Sequence, residues 1–69
     1  MTHDKDSFEA GYLLAVANIM HLHGEEMIGT DVLQDSGISS NAVRRLALTE
    51  FDAKPLRRLF RNISRRNRL

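Results

Sequence analysis

Sixty-nine residues make one domain with a thin core, because a chain this short buries only about 60% of the surface its unfolded form exposes. Without a cysteine, neither disulfides nor a thiolate zinc site can reinforce it, which excludes the disulfide-stapled secreted scaffolds and leaves self-association as the remaining support. The net charge of +1 hides a division: residues 1–36 hold seven acids against Lys5 alone, a balance of −6, while residues 37–69 hold nine bases, eight of them Arg, against Glu50 and Asp52, a balance of +7.

The N-terminus is polar and acidic, unlike a signal peptide, and no apolar run approaches the roughly 20 residues a bilayer span needs, so a cytoplasmic protein without membrane contact is expected. The first helix is predicted from a cap at Asp6 or Ser7 to His23, with Gly24 as its left-handed stop. Its apolar face is wide. Phe8, Tyr12, Ala15, Ile19 and Leu22 form one stripe and Leu13, Val16 and Met20 a second beside it, which calls for cover on more than one side. A homodimer is therefore expected, with Phe8, Gly11, Tyr12, Ala15 and Ile19 as the dimer or partner interface. Gly11 and Ala15 leave a flat place where another backbone can approach.

From Glu25 to Ser36 two readings stand open: a helix that begins at Glu25 and Glu26, or one that restarts at Thr30 as a cap after Gly29. Gly37 then supplies a left-handed turn residue and Ile38 plugs the corner. A third helix is predicted from about Ser40 to Ala47, capped by the Ser39 or Ser40 hydroxyl, with Val43 and Leu46 facing inward and Asn41, Arg44 and Arg45 facing out. Asp52 reads as the cap of a fourth helix, with Pro55 in its first turn and Phe51 stapled to Leu56. Leu56, Leu59, Phe60 and Ile63 form its buried stripe, and Arg57, Arg58, Arg61 and Arg65 its opposite face. Residues 1–64 thus make a single helical domain and residues 65–69 a basic C-terminal tail. The expected fold is all-α, a compact bundle of about four helices.

The stretch from Asp31 to Leu46 resembles the helix–turn–helix of bacterial repressors, most closely the lactose-repressor class, through Asp31, Val32, Gly37, Ile38, Ser39, Val43, Arg44 and Leu46. Leu33 stands where that family has Ala, and its bulk requires a wider crossing of the two helices. The resemblance covers about a quarter of the chain and implies that the third helix enters the DNA major groove with its N-terminal end foremost. Asn41 would then pair with an adenine edge and Arg44 with guanine. Ser39, Ser40 and Arg45 would hold phosphates, while Arg57, Arg58 and the basic tail would add affinity without sequence preference, and Arg61 is counted among the nucleic-acid-binding residues with them.

The resulting expectation is a small DNA-binding transcription regulator, dimeric to match two-fold sites. The alternative is a protein-binding inhibitor or adaptor, of the general look of small phage and mobile-element proteins. It would dock the Arg face on an acidic protein surface or use its apolar first helix. The acidic half offers a third use of the charge division, as a shield over the basic half. No catalytic residues, metal or cofactor are expected. His21 and His23 point about 200° apart on one helix and cannot aim at one ion, and no Cys nucleophile, glycine-rich phosphate loop or Ser–His–acid set is present.

Overall fold

The computed structural model describes residues 3–67, with side chains from Lys5 onward. Four helices follow one another with short turns: α1 (His3–His23), α2 (Glu26–Ser36), α3 (Asn41–Arg45) and α4 (Glu50–Arg66), and no strand occurs among the described residues. No helix among them is long and apolar enough to cross a membrane.

α1 begins at His3, earlier than a cap at Asp6 or Ser7 would allow. It stops where expected, with Gly24 at φ +64°, a conformation glycine adopts without the Cβ penalty. α2 begins at Glu26. Thr30 is therefore an interior residue and not a cap; its hydroxyl donates to the Glu26 carbonyl at 2.8 Å and it is almost wholly buried. Gly37, at φ +72° and ψ 4°, closes α2 by donating its N–H to the Gln34 carbonyl.

α3 is only five residues long, shorter than the predicted span to Ala47. Ser40 occupies its N-cap position, but neither serine hydroxyl makes a capping bond; the Ser39 and Ser40 carbonyls accept from Ala42 and Val43 instead. Leu46 ends the helix and Ala47 turns the chain at φ +52°, a left-handed conformation strained for a residue with a Cβ.

α4 begins three residues before the predicted start. Thr49, in extended backbone, accepts from the Asp52 N–H at 3.4 Å while its hydroxyl donates to the Asp52 carboxylate at 3.2 Å. Thr49 is thus the N-cap of α4, and Asp52, three residues on, holds its hydroxyl in place. Pro55 consequently lies inside the helix, in its second turn, where it deprives the Phe51 carbonyl of its usual donor. Phe51 is not a staple. It is exposed and stacks on the His21 ring, centroids 4.0 Å apart, while His21 Nε2 faces the Asp52 carboxylate at 3.3 Å. Arg65 and Arg66 belong to α4, and Arg66 reaches back to Asp31 and Gln34 of α2 at 2.8 Å each. Of the predicted basic tail, Arg68 and Leu69 lie outside the described residues.

One apolar core joins all four helices: Leu13, Val16 and Ala17 of α1, Leu33 of α2, Ala42 and Val43 of α3, and Ala53, Leu56 and Leu59 of α4, with Ile38 closing the corner. The second stripe of α1 is thus the core stripe. α2 packs tightly on α4 and α1 at Gly29, where an added Cβ would stand 3.1 Å from Leu59 Cδ1 and 3.1 Å from Met20 Sδ. Beside that contact the Asn62 amide donates to the Glu26 carboxylate at 2.7 Å and to the Thr30 hydroxyl at 3.2 Å. No buried side-chain polar atom among the described residues is left without a partner.

Candidate nucleic-acid interface

The amphipathic pattern of α4 decides where its arginines go. With Ala53, Leu56 and Leu59 in the core, positions 57, 61 and 64 fall on the flank toward α3, and positions 58, 62 and 66 on the flank toward α2. The first flank forms one wall of an open groove of ≈ 620 Å³, opposite α3 and the turn that follows it. Arg44, Arg57 and Arg61 line this groove with Ser40 and Asn41. Its floor is apolar, from Val43, Leu48, Ala53 and Phe60, and Glu50 and Ser64 complete its rim. Ser39 lines an adjoining depression that shares Ser40, Phe60 and Ser64 with the groove.

Electrostatics divide the basic residues further. Arg45 is held by α1, donating to Asp6 at 2.6 Å and to Glu9 at 2.5 Å, and these two carboxylates raise its pKa above the ordinary guanidinium value. Arg58 meets the Glu26 carboxylate at 3.1 Å on the far side of α4. Asn62 donating to that carboxylate, and then the Arg58 charge, hold Glu26 below the usual carboxylate range. Arg57 pairs with Glu50, whose carboxyl is lowered by that hydrogen bond and by the nearby charge. Among the described residues, Arg44, Arg61 and Arg65 have no carboxylate within ion-pair distance.

Of the eight residues singled out for nucleic acid, five therefore surround one groove: Ser40, Asn41, Arg44, Arg57 and Arg61. Ser39 sits next to them, while Arg45 and Arg58 are directed to carboxylates on α1 and α2. The acidic half does meet the basic half, but as pairs that tie elements together, α1 to α3 and α2 to α4, while Glu50 and Arg57 pair within α4. Such exposed pairs are individually weak, and phosphates can compete for the same guanidinium groups.

No protein-family model matches the chain, and no curated protein or solved structure matches it either. Between α2 and α3, Gly37 adopts a left-handed turn, and Ile38, Ala42 and Val43 are buried. Leu33 is fully buried, yet α3 has less than two turns and rests on α4.

The residues assigned to a partner interface on α1 separate as well. Phe8, Gly11 and Ala15 are exposed and Ile19 is half-buried. Tyr12 is turned inward: it is half-buried, and its hydroxyl donates to the Val32 carbonyl at 2.9 Å. Sequence reasoning overlooked Ser64, Glu50 and the apolar floor. The spacing of Arg57, Arg61 and Ser64, with Glu50 seven residues before Arg57, is the signal that puts all four on one helical flank.

Proposed function

We propose that this protein binds DNA through the α3–α4 groove, gripping the phosphate backbone with Arg44, Arg61 and Arg57 and presenting Asn41 at the groove's lip toward base edges. The observation that carries this reading is convergence. Three guanidinium groups from two helices face one open groove with two small polar side chains, and two of the three lack an acidic partner among the described residues. Arg forks match phosphate geometry, and such contacts position a protein on a duplex before any base is read. The five-residue α3 supports a backbone-gripping role with few base contacts better than deep insertion of a long recognition helix.

A second reading is favoured by one feature, the apolar floor of Val43, Leu48, Ala53 and Phe60, which a phosphate backbone leaves unfilled. An acidic amphipathic helix of another protein would fill it while pairing with the same arginines.

Fluorescence anisotropy with a mixed-sequence duplex at several salt concentrations tests the first reading. Binding should fall steeply with salt, and Arg44→Ala with Arg61→Ala should flatten the log–log salt slope by about two. Glu50→Gln, which frees Arg57 and removes a negative charge from the rim, should tighten binding. No binding at low salt by a folded sample would refute the DNA reading and favour the protein partner.

A further inference from the structure

α1 carries a second surface that the groove does not use. Opposite its core positions lies an arc of Ser7, Phe8, Gly11, Leu14, Ala15, Asn18 and Leu22, all exposed, with half-buried Ile19 at one edge. Phe8 is 65% exposed, Leu22 75% and Leu14 38%. No Asp, Glu, Lys or Arg occurs between Glu9 and Glu25, so this outward arc is uncharged over four turns in a chain otherwise rich in charge. α2 widens it. Tyr12 meets the Val32 carbonyl where α1 and α2 adjoin, and Ile28, 51% exposed, lies one turn before Val32 on the same side, as Ile19 lies two turns after Tyr12.

We propose that this strip is the two-fold interface of a homodimer, in which α1 packs antiparallel on α1 of a second copy about Ala15. The arrangement of residues is what selects a second copy as the occupant. Phe8 and Leu22 stand seven residues either side of Ala15, and Gly11 and Ile19 stand four either side. A two-fold interface requires that if residue i meets residue j, j also meets i. In an antiparallel pair centred on Ala15, Phe8 lies over Leu22 of the second copy, and Ile19 enters the notch at its Gly11. That notch is open: a Cβ added at Gly11 would meet nothing within 4 Å.

Area and charge agree with this occupant. Phe8, Leu14, Leu22 and Ile28 together leave about 450 Å² of side chain exposed, taking about 200 Å² for each large apolar residue. Gly11, Ala15, Asn18 and Ile19 bring the strip toward the roughly 800 Å² per partner that a stable interface covers. An uncharged strip meets its own copy without like-charge repulsion, whereas a DNA backbone or a strongly acidic partner gains nothing from it electrostatically. The proposal is independent of the groove, which lies between α3 and α4.

The test is sedimentation equilibrium of the full chain, followed by cysteine cross-linking, which the absence of native cysteine makes clean. The native chain should sediment as a dimer at high concentration. Ala15→Glu puts two like charges at the two-fold axis and should weaken self-association by about a hundredfold or more. Position 15 is exposed in the protomer, so an unchanged helical circular dichroism spectrum certifies that the variant is folded. An equimolar mixture of Phe8→Cys and Leu22→Cys chains should form a mixed disulfide under mild oxidation, and Phe8→Cys alone should not dimerise covalently. A native chain that stays monomeric at millimolar concentration, or an Ala15→Glu variant that associates as well as the native chain, would overturn the proposal. So would Phe8→Cys cross-linking to itself in preference to Leu22→Cys.

Discussion

The Gly29–Leu59 contact makes a quantitative prediction about what holds the bundle together. Leu59 is fully buried, and its two methyl carbons stand 3.1 and 3.7 Å from where a Cβ on Gly29 would be. Gly29 is thus the notch on α2 that receives the Leu59 side chain from α4. Leu59→Ala should cost about 3 kcal/mol, the lost transfer energy plus the cavity left behind. For a chain of this length that is a third or more of a total stability of roughly 3–10 kcal/mol, and it lowers Tm by about 12–24 °C. Gly29→Ala alone gains about 1 kcal/mol of helix propensity. It also presses a methyl against two atoms closer than the ordinary 3.5–4.0 Å, at a cost of about 1–2 kcal/mol, so its net effect should be a loss of up to about 1 kcal/mol. In the Leu59→Ala background the obstruction is gone and Met20, flexible and half-buried, yields. There Gly29→Ala should stabilise by about 1 kcal/mol, a coupling of about 1–2 kcal/mol. Urea denaturation followed by far-ultraviolet circular dichroism, at one fixed protein concentration, measures all four variants. Equal effects of Gly29→Ala in both backgrounds would refute this account of the α2–α4 contact.

Three further outcomes follow from the turns and the ion pairs. Thr49→Ala should cost about 0.5–1 kcal/mol by removing the α4 cap, whereas Ser40→Ala, whose hydroxyl caps nothing, should change stability by no more than about 0.3 kcal/mol; paired urea titrations compare them. Ala47→Gly should raise the urea midpoint by the equivalent of about 0.5 kcal/mol, because relief at φ +52° outweighs the added freedom of the unfolded chain. The Glu26 and Glu50 carboxyls are held below their ordinary value of 4.5 in the fold, so the unfolded chain takes up protons first as pH drops. Their contribution is complete above that value and lost as pH falls through the lowered ones. A Glu26→Gln, Glu50→Gln double variant should therefore show a shallower loss of the urea midpoint between about pH 5 and about pH 3 than the native chain.

Much of this fold is legible in the chain because local chemistry and packing agree. Gly24 and Gly37 stop helices where the left-handed turns occur, and Leu56 and Leu59 are buried as their spacing demands. The two stripes of α1 separate into a core stripe around Leu13 and Val16 and an outer one around Phe8 and Ala15. The start of α4 misleads because Asp52 is a strong capping residue followed closely by a proline. Thr49 prevails as the cap, with Asp52 serving as its partner three residues on, and Pro55 is carried inside the helix by the packing of Ala53 and Leu56. The site is legible only in part. Helical spacing groups Arg57, Arg61 and Ser64, but nothing local to the sequence says that Arg45 turns to Asp6 and Glu9, 39 and 36 residues away. Which arginine is tied down and which faces the groove is decided by tertiary structure.

Backbone amide chemical-shift mapping during titration with a short duplex tests the central claim most directly, since it reports which surface the DNA touches. The account predicts shifts concentrated at residues 40–48 and 57–64, reduced by Arg44→Ala with Arg61→Ala, and little change along the outer arc of α1. Shifts centred on that arc, or no shifts from a folded sample at low salt, would contradict it.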